Sequence, residues 1–138
     1  MKSPEKTIGN MIDKCSVSFI GSVDKEGFPN IRAMLKPCKR NGIEEIYFHT
    51  NTSSAKINHF KENSKSSIYI CNQRFFKGLM LIGNMEIIDD KNIKDDIWEE
   101  GYEMYYPLGP TDPDYCVIKF VPQKAKYYSN FKVEEFEV

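Results

Sequence analysis

Eight consecutive residues, His49-Thr50-Asn51-Thr52-Ser53-Ser54-Ala55-Lys56, concentrate much of the chemistry this sequence offers. A strand-like run from Ile43 to Thr50 ends there, hydroxyl and amide side chains follow, and a short helix through about Asn63 begins with Ser53 or Ser54 as its cap. Free backbone N–H groups at a helix start, ringed by hydroxyls, bind anions. Lys56 falls in the first helical turn, where the dipole disfavours a cation, and a bound anion would remove that conflict. The plainer reading is an ordinary serine cap beside a solvated lysine. Arg32 is the second candidate, in a chain with 16 lysines and three arginines. Strand alternation puts it on one face with Met34 and Lys36, and Ile31, Ala33 and Leu35 on the other. Its guanidinium could fork two hydrogen bonds to a phosphate or a ring carbonyl; the plainer reading pairs it with a glutamate at a sheet edge. Aromatic residues gather late, at Trp98, Tyr102, Tyr105, Tyr106, Tyr115, Tyr127 and Tyr128. They offer stacking surface, but core or dimer-interface packing is the expectation for most of them.

Other chemistries lack their residues. No Ser-His-Asp, Cys-His or paired-carboxylate arrangement follows from the spacing, so hydrolysis through an activated nucleophile has no support. Cys15, Cys38, Cys71 and Cys116 are never closer than 23 residues, which argues against a zinc site; three of the four sit in apolar or β-branched surroundings, so buried free thiols are the expectation. His49 and His59 lie outside any metal-binding motif, and no metal is expected. With 19 basic and 20 acidic residues the formal charge is -1, against a strongly basic nucleic-acid binder. No apolar run is long enough to span a bilayer, and the opening MKSPEKTIGN lacks a signal peptide's apolar core. The expectation is a soluble cytoplasmic protein with neither nucleic acid nor membrane as partner. Its 138 residues form one domain, 1–138, long enough to bury a core.

The elements that must position these residues follow from local signals. Ser3 caps and Pro4 opens a helix to Cys15, with Ile8, Met11, Ile12 and Cys15 as its apolar stripe. Val17 to Val23 reads as a strand, Asp24-Lys25-Glu26-Gly27 as a hairpin turn, and Phe28 to Lys36 as the returning strand. Asn41-Gly42 makes a second turn. Ser66 to Cys71 and Leu79 to Ile88 are strands, the latter with a bulge or bend at Gly83. An acidic helix is expected over 89–104 and a proline-rich loop over YYPLGPTDPDY. Tyr115 to Val121 is a strand that Pro122 stops, and Lys124 to Tyr128 a separate last strand. Six or seven strands with hairpin connections and two or three helices make a mainly β fold, an antiparallel barrel with peripheral α-helices.

The run V17-S-F-I-G-S-V-D-K-E-G-F-P-N-I-R-A-M, then I46-Y-F-H-T-N-T-S-S-A-K-I, resembles the pyridoxamine 5'-phosphate oxidase-like split-barrel flavoproteins. The ending Y106-P-L-G-P-T-D-P-D-Y-C-V-I-K-F-V-P-Q-K-A-K-Y-Y is similar to their general stress protein branch. The resemblance covers roughly residues 11 to 128. It implies a six-stranded antiparallel split β-barrel that forms a homodimer, with FMN in clefts between the subunits. By that resemblance Arg32 touches the flavin, and Ala33, Met34 and Leu35 run alongside its ring. His49 and Thr50 stand beside ribityl and phosphate; Ser54 and Lys56, with Ser53 beside them, form the phosphate clamp; Lys77 and Gly78 fall where the partner subunit approaches the ring.

The chain also departs from the full oxidases. Ala55 stands where they have an arginine, and Pro37 where they have a lysine, with Lys36 one residue early. It ends in VEEFEV rather than in their Trp and Arg substrate segment, so vitamin B6 oxidation is not expected. Two function classes remain. One is an FMN-dependent oxidoreductase with a nicotinamide donor or small electron acceptor. The other is a flavin-binding or stress-sensing module without turnover. A related barrel could hold haem or a deazaflavin instead of FMN; no histidine is placed as a haem ligand, so haem ranks low.

Overall fold

Ser3 Oγ accepts the Lys6 N–H (3.4 Å) and Pro4 occupies the first turn, so helix α1 (Pro4–Lys14) begins where the sequence puts it. The computed structural model describes residues 3–138. Strands β1 (Val17–Val23) and β2 (Pro29–Leu35) form the expected hairpin. Asp24 Oδ1 accepts the N–H groups of Glu26 (3.0 Å) and Phe28 (2.9 Å), and Gly27 takes φ +88°. Next come β3 (Lys39–Asn41), β4 (Glu45–Asn51), α2 (Ala55–Glu62), β5 (Lys65–Asn72) and β6 (Lys77–Ile88). Helix α3 (Lys91–Ile97), two single 3-10 turns, β7 (Tyr115–Ser129) and β8 (Lys132–Glu137) complete the chain.

All pairings are antiparallel, in the order β2-β1-β5-β6-β7-β4-β3, with β8 beside β7. The mainly β split barrel is therefore correct, with eight strands rather than six or seven. The main core fills its inner face: Ile20, Ile46, Phe48, Ile68, Leu79, Leu81, Ile118 and Phe120, closed by Ile8 and Ile12 of α1 and Ile57 and Phe60 of α2.

Three boundaries differ from expectation. Pro122 does not stop the strand, because it pairs with Gly83, where the register shifts, and a proline's missing donor is tolerated at such an irregularity. A Cβ at Gly83 would overlap the carbonyl oxygen of Val121, so the crossing needs glycine. The acidic helix ends at Ile97 rather than at 104. Trp98 turns inward against Tyr115, and Gly101 at φ +101° breaks the helical path. The end of the chain is a strand, β8, reached through Asn130 and Phe131, both at positive φ, as a two-residue hairpin loop demands.

Candidate functional site

Residues 32 and 56 lie far apart in sequence, and the barrel brings them near enough for the Arg32 charge to act on Lys56. Arg32 pairs with Ile20 across β1 and β2, so its side chain follows Ile20 onto the inner face of an edge strand. Its Nη1 donates to the Ile20 carbonyl (3.1 Å). Helix α2 packs on β1 by Ile57 and Phe60 and is tied there by a hydrogen bond between Ser22 Oγ and His59 Nδ1 (2.7 Å). That docking buries Lys56, which is 7% exposed, and its Nζ donates to Ser54 Oγ (2.7 Å).

The electrostatics are unusual. Burial, then the Arg32 cation, pull the Lys56 ammonium below its ordinary range, with Cys116 opposing weakly. Burial alone lowers Arg32. Neither cation forms an ion pair with a described carboxylate. Both plainer readings fail: Lys56 is not solvated, and Arg32 has no glutamate. The Ser54 side chain does not cap α2. The amides of Ala55 and Lys56 make no hydrogen bond with the described residues. Two half-dry cations, a hydroxyl and two free amides suit an anionic group such as a phosphate ester.

The turn before α2 is not wholly free, however. Thr52 N–H donates to the Asp114 carbonyl (2.8 Å), and Ser53 N–H to the Asp114 carboxylate (2.8 Å). Asp114 lies in the P-L-G-P-T-D-P-D loop motif, whose spacing alone assigns it no role. Its position just before a strand was the available signal.

His49 and Thr50 point to opposite faces of β4. Thr50 is buried on the inner side, whereas His49 joins a second cluster of Tyr47, Ile97, Tyr106, Tyr115 and Val117 with Trp98 and Tyr102. His49 Nδ1 is hydrogen-bonded to Tyr106 OH (2.9 Å), and its ring lies 4.3 Å from that of Tyr102. Burial lowers its pKa, opposed by Glu99. Burial also pushes the Cys38 thiol up to about 12, so it is inert at neutral pH. Of the four free thiols Cys116 is buried, Cys15 and Cys38 are partly buried and Cys71 is exposed, so burial is less complete than expected. Among the described residues no cluster could hold a metal ion.

Lys36 does not share the Arg32 site. Its Nζ donates to the Asp13 carbonyl at the end of α1 (3.0 Å). Ala33 and Leu35 face outward with Ile31, while Met34 packs against the core. Lys77 and Gly78 begin β6, four and three residues before Leu81, the residue in line with Arg32 across β1 and β5. A side chain at Gly78 would meet the Tyr69 ring, whose hydroxyl end would have to move aside. Tyr106 and Tyr127, expected in the core or at a dimer interface, are buried within one chain. One uncovered apolar patch lies on the outer face of the β2-β1-β5 sheet. It consists of Ile31 (73% exposed), Leu35 (56%), Val17, Phe19 and Tyr69. No helix among the described residues is long and apolar enough to cross a membrane.

Known proteins share this architecture. A protein from Clostridium acetobutylicum related to general stress protein 26 of Bacillus subtilis, of the pyridoxinephosphate oxidase family, is 33% identical; the match covers 97% of this chain and 94% of that one, with a TM-score of 0.88. A pyridoxamine 5'-phosphate oxidase-related, FMN binding protein from Nostoc punctiforme is 13% identical over 99% and 97% of the two chains (TM-score 0.79). A haem binding protein from Mycobacterium smegmatis is 12% identical over 98% and 58% (TM-score 0.78). No curated protein matches the chain. The family model described as pyridoxamine 5'-phosphate oxidase like matches residues 3–135, and the chain belongs to that family.

Proposed function

We propose that this protein binds FMN at a cleft completed by a second copy of the chain and serves as an oxidoreductase for a small-molecule electron donor or acceptor. The carrying observation is the Arg32–Lys56 pair, two partly or fully buried cations without a counter-ion. A buried unpaired charge costs stability until an anion meets it. In this reading Ser53, Ser54 and Lys56 hold the phosphate with the free amides of α2, and Arg32 bridges from phosphate towards ring. Ala33, Met34 and Leu35 run beside the ring, Thr50 on the inner face of β4 flanks the ribityl chain while His49, turned to the opposite face, holds β4 through Tyr106, and the partner supplies Lys77 and Gly78. FMN, when bound, supplies one- and two-electron redox chemistry, while the protein supplies orientation and polarity. The missing charges at Ala55 and Pro37, and the use of Lys36 on α1, leave a phosphate site with fewer cations than the full oxidases have.

The second copy has its own support. The exposed outer face of β2 and β1 is apolar, whereas a monomer's exposed sheet face normally alternates towards polar residues. Four free thiols accord with a reducing, cytoplasmic setting.

Purified protein titrated with FMN and with riboflavin tests the reading. A yellow complex with FMN bound more tightly than riboflavin is expected, sedimenting as a dimer of 16.1 kDa chains. Equal affinity for the two flavins, or a Soret band in place of a flavin spectrum, overturns it. NADH or NADPH oxidation by the loaded protein separates an enzyme from a flavin-binding module without turnover.

A further inference from the structure

Asp114 ties the proline-rich loop to the turn before α2. Its Oδ1 accepts the Ser53 N–H (2.8 Å), its Oδ2 accepts Asn51 Nδ2 (2.6 Å), and its carbonyl accepts the Thr52 N–H (2.8 Å). Buried Asp112 fixes Asp114 from behind: its Oδ1 accepts the Asp114 N–H (2.9 Å) and its Oδ2 the Leu108 N–H (3.1 Å). The Asn51 amide, then the Ser53 N–H, hold the Asp114 carboxyl below its ordinary range, so it is ionised and purely an acceptor at neutral pH. Two donors that the sequence offers to an anion are thus already taken. The amides that remain are those of Ala55 and Lys56, beside Ser54 Oγ and the Lys56 ammonium.

We infer that Asp114 is a positioning residue of the phosphate subsite: its carboxylate occupies the outer donors of the turn and directs a phosphate ester inward to Ser54, Lys56 and Arg32. The inference rests on the phosphate reading above. It makes the late loop part of the binding apparatus without touching the ligand. It also gives the subsite a selectivity. One phosphate is met by the inner donors, and a second anionic group at the turn's outer side meets a carboxylate instead of amides.

Full-length wild type, Asp114→Asn, Asn51→Ala and the exchange Asp114→Asn/Asn51→Asp are titrated with FMN and with riboflavin by flavin fluorescence. Asp114→Asn keeps an oxygen for the Ser53 N–H but sets an amide against the Asn51 amide. Its FMN affinity should fall about tenfold, a charge-assisted hydrogen bond's worth, with riboflavin affinity within about twofold. Asn51→Ala, at an exposed position, should lose roughly threefold for FMN alone, as one weaker bond is removed. The exchange returns a carboxylate to the pair and should restore most of the FMN affinity. Parallel loss of both flavins, unchanged or tighter FMN binding, or no recovery in the exchange overturns the inference. Should Asp114→Asn not fold, Asn51→Ala and the exchange decide it by the same FMN-to-riboflavin ratio. A wild type without FMN preference overturns the phosphate reading itself, whereas a preference that no variant alters overturns Asp114 alone.

Discussion

Arg32 and Arg40 stand eight residues apart, and the fold treats them in opposite ways. Arg40 is fully answered: Nε and Nη2 donate to the two carboxylate oxygens of Asp13 (2.8 and 2.7 Å), and Nη1 to the Gly42 carbonyl (2.9 Å). Gly9 of α1 leaves the room this guanidinium needs, since a Cβ there would press on it. Asp13 also gives its carbonyl to Lys36, so the end of α1 is pinned to the sheet from two sides. Arg32 has one carbonyl and a neighbouring ammonium. The region around Arg40 is built for the fold, whereas the region around Arg32 stays electrostatically incomplete within one chain. Charges whose partners lie in the sequence are structural. A cation pair kept half-dry without them marks where something else must arrive.

The contrast can be broken by removing one cation from each region. Lys56→Met should weaken FMN by ten- to a hundredfold, on the order of 1.5–3 kcal/mol, and riboflavin far less. Its ligand-free melting temperature should stay level or rise, because an unanswered buried cation is gone. Calorimetric titration and a thermal melt check both halves; equal weakening of the two flavins would place Lys56 away from the phosphate. Arg40→Ala should show the reverse pattern. A half-exposed bidentate ion pair contributes about 1 kcal/mol, hence roughly 3–5 °C in melting temperature, with the FMN-to-riboflavin ratio unchanged.

Two pH profiles sharpen the comparison further. The Arg40 hydrogen bond, more than its charge, holds the Asp13 carboxyl below its usual 3.8. A depressed carboxylate stabilises above its unfolded pKa and loses that contribution as pH falls through its folded value. The stability gap between wild type and Asp13→Asn should therefore be full at neutral pH and shrink below about pH 4 in urea melts. Lys56 runs the other way. Its folded pKa lies below 10.5, so the unfolded chain binds more protons between the two values and ligand-free stability rises with pH there. Wild type should thus gain on Lys56→Met as pH approaches 10.5, the smallest of these effects, and bound FMN should abolish the gain. A flat difference across that window would mean the ammonium carries no burial cost.

Much of the frame was legible because its signals are local. Ser3-Pro4 opens α1, Asp24 to Gly27 turns the first hairpin, and Gly83 marks the irregularity in β6. The misplaced boundaries arise where a distant partner overrides the local signal. Pro122 is carried through the sheet by Gly83, and Trp98 leaves the helix for Tyr115. Strand β8 was hidden because Phe131 sits at φ +64°, a conformation that marks turns only when glycine or asparagine occupies it. The site divides the same way. Lys56 and Arg32 each stood out by residue type and position. Their proximity, the opposite facing of His49 and Thr50, and the hold of Asp114 on the turn all need strand pairings that no short window contains.

Strand β7 carries a consequence for how the chain comes to be folded at all. It pairs with β4 along its first half, with β6 along nearly all of it, and with β8 along its second half. Until residues 115–129 have been synthesised, β4 and β6 each lack a neighbour, and the apolar residues they turn inward have no floor. A ribosome adding about 5–20 residues per second leaves that surface open for seconds, a window in which exposed apolar residues are open to off-pathway contacts. The β4–β7 and β6–β7 pairings are long in sequence separation, so closure is slow relative to forming the β1–β2 hairpin.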